Sequence, residues 1–286
     1  MQVPFEPRVH ILDVYTKPGV PIHITPFSDL HLDDSLCDLK SIRRVADARR
    51  DLPNHYAFSL GDTLNLVVPP DLKRWRPSVQ ADGIAGRDDW LNATVEYGIE
   101  QLEKLNLKWA LFIPGNHEDE FCKRYGYDST SVLAKHFKAA RGGYSGALDV
   151  RIHLDYGKAE GNNKPFVPCR IIWHHGAWGG RLSKGYIGAK DFAFQHDGWN
   201  FFLYGHNHHS RHDPEIRRRI VNDRIVEYEC HIVNCSAAVH NYGENALETH
   251  YAERHGYTPQ RRKPPLLRIT TRLYRGKREM ETSVEY

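Results

Sequence analysis

The sequence predicts an α/β fold. Short apolar runs of strand length alternate with amphipathic stretches of helical period. The apolar runs end abruptly in small clusters of Asp, Asn, His and Gly, and sites in α/β folds gather where strands end. The chain has 286 residues, 40% of them hydrophobic, which suffices for the core of one large domain or two small ones.

Residues 21–28 (PIHITPFS) read as a strand, followed by a polar turn over 29–34. Residues 36–50 read as an amphipathic helix with Leu36, Leu39, Ile42, Val45 and Ala46 on one face. A short buried strand follows at 55–60 (HYAFSL) and ends at Gly61-Asp62. Residues 63–88 form a long connection containing Pro and Gly, of a length usual for functional or mobile loops. Residues 89–105 read as a helix, with Asp88 or Asp89 as N-cap and Trp90, Val95, Ile99, Leu102 and Leu105 as its apolar set. The strand 109–113 (WALFI) runs into Pro114 and GNHED. A helix over 128–140, strands over 147–156 and 169–173, and the end of a helix at 192–197 follow. The strand at 200–204 (NFFLY) runs into GHNHH. Beyond it, 224–235 and 266–274 alternate as strands do, a short helix is expected around 245–255, and the last residues, GKREMETSVEY, read as a frayed tail. Residues 1–286 are read as a single domain, with a motif-bearing core over about 21–235 and a C-terminal part, 236–286, that completes the sheet.

Composition narrows the function classes. A net charge of +3 is too small to mark a nucleic-acid binder. Three basic clusters, at 73–76, 217–219 and 261–263, have acidic neighbours and read as solvated faces. The five cysteines (Cys37, Cys122, Cys169, Cys230 and Cys235) are odd in number and contain no C-x-x-C, which argues against a disulfide framework and a zinc ribbon. Reduced thiols, no leader-like apolar segment at the start and no apolar run of bilayer length make the cytoplasm the expected location, with no membrane partner. The oligomeric state is left open.

The unusual count is histidine, at 18. Asp29 and His31 lie two residues apart just past a strand, as do His206 and His208. In extended backbone, such residues point the same way and could meet at one metal. Either pair alone is a weak signal. Asp62 and Asn116, each beside a glycine that lets a ligand approach closely, strengthen it. With a histidine from the pair His174-His175, seven N/O donors stand in five strand-end clusters, too many for one small ion but suited to two that share them. Imidazole and carboxylate donors without thiolate favour Mn, Fe, Co, Ni or Zn over Ca or Mg, with Mn or Fe the expected native pair.

SDLHLD, GDTLN, GNHED, WHHG and GHNHH, in this order over roughly 27–210, resemble the five blocks of the calcineurin-like metallophosphoesterases. The segment GAWGGRLSKG after the fourth block is similar to forms common in phage-encoded members. The resemblance implies a four-layer sandwich of two mixed β-sheets flanked by α-helices. It implies that Asp29, His31 and His208 hold the first metal, that Asn116, His174 and His206 hold the second, and that Asp62 bridges them. His175 is the alternative to His174 and would otherwise contact substrate. His117 is implied to be catalytic without touching a metal, stabilising the phosphoryl transition state or protonating the leaving oxygen. Arg181 could bind a phosphate oxygen, or be solvated surface. The reaction expected is hydrolysis of a phosphomonoester or phosphodiester by a hydroxide held between the metals, with no covalent phosphoenzyme. The substrate class leaves room for nucleotides and nucleic acid. A DNA exonuclease or endonuclease of the same superfamily is the alternative, disfavoured because only a short segment follows GHNHH. A non-catalytic scaffold is disfavoured because every ligand position is filled.

Overall fold

The computed structural model describes residues 9–67, 80–84, 86–155, 166–178, 185–221, 223–238, 263–274 and 277–286. In chain order the elements are β1 (Val9–Thr16), β2 (Ile22–Phe27), α1 (Leu39–Arg49), β3 (His55–Leu60), α2 (Trp90–Lys104), β4 (Trp109–Ile113), α3 (Asn116–Tyr125), α4 (Ser129–His136) and β5 (Ala140–Arg141). They continue as β6 (Ser145–Leu154), β7 (Val167–His174), α5 (Tyr186–Phe194), β8 (Phe201–Tyr204), β9 (Arg211–Val221), β10 (Arg224–Asn234), β11 (Leu266–Tyr274) and β12 (Lys277–Glu285).

The strands form two mixed six-stranded sheets, ordered β1-β6-β7-β8-β10-β9 and β12-β11-β2-β3-β4-β5. In the second, β2 to β5 are parallel and β11 and β12 are antiparallel additions. Alternation along each strand assigns its side chains to layers. Tyr56, Phe58 and Leu60 of β3 join Leu148, Val150 and Ile152 of β6 and Ile171 and Trp173 of β7 in one core between the sheets. Phe27, Ala57, Trp109 and Phe112 face the other way, onto α1, α2 and α4 through Ile42, Leu102 and Leu133. Ile172, Phe202, Tyr204 and Ile232 pack under Ala189 and Ala193 of α5. The result is four layers: helices, sheet, sheet, helix.

One irregularity bears on β4. The register with β3 jumps from Ala57↔Trp109 to Phe58↔Leu111, so Ala110 is an extra residue. This bulge turns Trp109 towards the helices and Leu111 and Ile113 into the inter-sheet core.

Several elements depart from the sequence expectations. Helix α1 starts at Leu39, because Asp38 caps it by accepting from Ser41 N at 3.0 Å. GNHED opens a helix, α3, that its polar composition concealed. Strands β1 and β9 were not expected, and the supposed tail is β12, paired along its length with β11. All three are sheet edges or hairpin arms with exposed or charged residues on the outer side, so they lack a clear apolar alternation. The helix expected around 245–255 lies outside the described residues. Among the described residues, no helix is long and apolar enough to cross a membrane.

Candidate metal centre

The carboxyl ends of β2, β3 and β4 in one sheet and of β7 and β8 in the other open onto the same edge of the sandwich, and the five polar clusters follow them. Their backbones are interlocked. Asp29 N donates to Gly61 O at 3.0 Å, His31 N to Asp62 O at 2.9 Å, and Gly205 N to His175 O at 2.8 Å. The fit leaves no room for a side chain at two glycines. A Cβ on Gly61, whose φ is +91°, would stand 2.5 Å from His175 Nδ1, and one on Gly205 would stand 1.8 Å from Ser28 Oγ.

The backbone at the paired positions is not extended. Asp29 (φ 51°), His31 (45°), Asp62 (49°), His206 (68°) and His208 (56°) all occupy the left-handed region. The i, i+2 pairs therefore converge because left-handed turns aim them, while Leu30 between the first pair is buried in the helix-side core. This corrects the extended-strand reasoning, though not the pairing it was used to explain.

The donor atoms of Asp29, Asp62, His175 and His206 lie within 4.8 Å of one another, and so do those of Asp29, His31 and His208 and those of His31, Asp62 and His117. Asn116 joins the first group: its Oδ1 lies 3.1 Å from His175 Nε2 and 2.8 Å from His206 Nδ1. Asp62 Oδ2 is 3.3 Å from His175 Nε2, and Asp29 Oδ1 is 3.4 Å from His208 Nε2. The structure thus brings together Asp29, His31, Asp62, Asn116, His206 and His208.

His174 is not in the cluster, and the expectation that placed it there is corrected. Strand β7 turns Cys169, Ile171 and Trp173 into the inter-sheet core, so His174 faces the α5 side. There its ring lies 4.6 Å from Trp178 and 4.9 Å from Phe192, and its Nδ1 accepts from Gly176 N at 2.9 Å. Burial pushes its pKa down to about 4. His175 continues the inward parity and is fully buried. Its Nδ1 donates to Leu60 O at 2.7 Å, which aims Nε2 into the cluster. The same parity was readable from IIWHHG. Arg181 lies outside the described residues.

The buried carboxylates and imidazoles set one another's charge. Burial opposes ionisation of Asp29, but the hydrogen bond and charge of His208 hold its carboxyl well below the usual range. Burial opposes ionisation of Asp62 too, and the charges of His175 and His117 outweigh it. Conversely, the Asp62 carboxylate overcomes burial and raises His175 to about 9, and the Asp29 carboxylate likewise raises His208. Two buried carboxylates demand positive charge, which protons on these imidazoles or bound cations could supply. Burial, reinforced by the charge of His117, lowers His31 to about 3. Buried His31 Nδ1 has no hydrogen-bond partner, and His208 Nε2, at 3.4 Å, is the group that faces buried Asp29 Oδ1. A buried set of carboxylate and imidazole donors without thiolate fits a divalent transition metal.

Around the cluster stand Glu118, whose role the sequence reading missed, and His117, which it named. Buried Glu118 accepts from Asp62 N (3.0 Å), Leu64 N (3.0 Å) and Gly115 N (2.9 Å), stapling the loop after β3 to the start of α3. Burial and the Asp62 charge push its carboxyl up to about 8, against the pull of those amides. His117 N donates to Asp62 Oδ1 at 3.0 Å, its Nδ1 to Asn65 O at 2.6 Å, and its ring meets that of His31 edge-on at 4.9 Å. GNHE hints at Glu118 as the third residue of a helix, where a side chain reaches back to the cap. Its bonds across to the loop after β3 depend on tertiary contact and have no local signature.

No family model matches the sequence, and no curated protein matches it. Among solved structures, the chain is similar to a single mutant of Vps29 from Entamoeba histolytica, at 11% identity and a TM-score of 0.32, over 93% of this chain and 100% of that one. Wild-type Vps29 of the same organism, complexed with Zn2+, gives 11% identity and a TM-score of 0.31 over 92% and 99%. The NAD nucleotidase of Haemophilus influenzae gives 10% identity and a TM-score of 0.39 over 93% of this chain and 49% of that one.

Proposed function

We propose that this chain is a phosphoesterase of the calcineurin-like metallophosphoesterase superfamily, hydrolysing a phosphate ester at a centre of two divalent transition-metal ions. The observation that carries the reading is the convergence of buried carboxylate and imidazole donors from five strand-end loops into overlapping groups that share Asp29, His31 and Asp62. Asp29, His31 and His208 would hold one ion; Asn116, His175 and His206 would hold the other; Asp62 would serve both. Bound there, the ions would neutralise phosphoryl charge and supply a deprotonated water at neutral pH.

The chain's own groups supply the rest. Asp29 and Asp62 provide the negative charge that retains cations, and Leu60 O fixes the ring of His175. The Nδ1–H of His117 is committed to Asn65 O, so Nε2 is the atom it offers to a phosphoryl or leaving-group oxygen.

The reading is tested by a screen with added Mn, Fe, Zn, Co or Ni against a nitrophenyl monoester, a bis-nitrophenyl diester, cyclic nucleotides, and single- and double-stranded DNA. Hydrolysis of at least one ester, dependent on metal and abolished by chelation, is expected. Metal-loaded protein inert towards all of them would overturn it. Cleavage confined to DNA would identify the nuclease branch of the same chemistry.

A further inference from the structure

We infer that Asp33 is a positioning residue for His117 and acts on it through a single peptide group, Asn65–Leu66. Asp33 is buried behind the loop that follows β3. Its Oδ2 accepts from Leu66 N at 2.9 Å, and its Oδ1 accepts from Asn65 N. The carbonyl of that same Asn65–Leu66 peptide accepts from His117 Nδ1 at 2.6 Å. A peptide is planar and its N–H and C=O point in opposite directions. A carboxylate at the N–H end therefore polarises the carbonyl at the other, and hydrogen bonds in such a chain strengthen one another. The arrangement sets carboxyl group, peptide and imidazole in series, so that the hydrogen bonds Asp33 accepts are felt at His117 across one rigid plane.

The loop gives Asp33 a second task. Leu66 has φ 49°, a left-handed conformation that a side chain disfavours. The two bonds from Asp33 hold this turned peptide in place, and Asn65 Nδ2 donates to Asp34 Oδ2 at 2.8 Å on the same side. Without them the Asn65 carbonyl would be released to swing away from His117, which would then lose the partner that fixes its tautomer and ring angle. Asp33 sits two residues past His31 yet appears in none of the candidate metal-holding groups.

The inference rests on the proposed phosphoesterase reading for its catalytic consequence, but its geometry can be tested separately. In zinc-loaded wild-type protein, imidazole 15N spectra should show His117 as a single tautomer with the proton on Nδ1, the signal being assigned by its loss in His117→Asn. A mixed tautomer, or a proton on Nε2, overturns the inference without any Asp33 variant. Asp33→Asn keeps the shape but turns one of the two acceptor oxygens into a donor that faces a backbone N–H. It should retain the wild-type metal content, shift the His117 resonance, and lower turnover by about 10- to 100-fold, the range a small misplacement of a catalytic group produces. His117→Asn should lower turnover by roughly 10²- to 10⁴-fold. The double variant should be no slower than His117→Asn alone, because one residue acts through the other. Losses that multiply, with the His117 resonance unmoved, would make Asp33 merely structural and defeat the proposal. If the wild-type protein hydrolyses no ester, the functional reading fails, and the His117 tautomer together with its resonance in Asp33→Asn decides whether Asp33 positions His117.

Discussion

His174 and His175 are neighbours in sequence and opposites in environment. One is wedged between Trp178 and Phe192; the other points Nε2 at Asn116 and Asp62. Their substitution should therefore separate two kinds of loss. His175→Ala should remove one of the two ions and nearly all turnover, as elemental analysis and an ester assay would show. His174→Ala should keep both ions and cost about 1–2 kcal/mol of stability through lost aromatic packing, read from a denaturant titration. The reverse pattern of metal loss would return the ligand role to His174. Which histidine faces inward follows from strand parity. The motif spelling alone favoured the first, whereas counting from Ile171 and Trp173 selects the second.

At the scale of elements, what the sequence made legible were the apolar strands inside the sheets. Strands β2, β3, β4, β7 and β8 are short apolar runs, and each delivers a polar cluster at its end. The edges were not legible. Strand β12 reads KREMETSVE and turns only Met280 and Val284 towards the inter-sheet core, so its pairing with β11 is a tertiary fact. It also meets the first sheet, where Thr282 Oγ1 lies 2.9 Å from His231 Nε2. A chain ending at Tyr274 would leave β11 as a bare edge and open the inter-sheet core. Its unfolding midpoint in urea should fall well below that of the full chain, or the shortened protein should fail to fold. An unchanged midpoint would restore the reading of a frayed tail.

At the scale of the whole molecule, the fold holds buried histidines in the neutral form away from the candidate metal centre, His55 and His231 among them. Burial, with help from Arg49, lowers His55 to about 4, and burial, with help from His212, lowers His231 to about 4. Both values lie below the ordinary 6.5, so the unfolded chain takes up these protons before the folded one does. Their contribution is complete above about pH 6.5 and is lost as pH falls towards 4, up to about 3 kcal/mol for each buried ring. Melting temperatures measured with chelator present should fall between pH 7 and 5, and His231→Gln should flatten that fall. A variant as acid-sensitive as the wild type would refute this account. The layered architecture and the cluster of donors were thus readable from strand-end motifs. The carboxylate staples of Asp33 and Glu118 and the buried imidazoles were not, because each depends on a partner far away in sequence.

The left-handed backbone at Asp29, His31, Asp62, His206 and His208 has a consequence for how such a sequence would change under selection. Each histidine held there costs the fold about 1 kcal/mol or more, a cost that ligation would help to offset. Asparagine tolerates that conformation better, so His206→Asn should raise the melting temperature of the metal-free protein and lower that of the metal-loaded one. A drop in both would show that the turn is not strained. If the pattern holds, a lineage released from the need to bind metal would gain robustness by losing these histidines first. Their joint retention would then record a continuing demand for the ions.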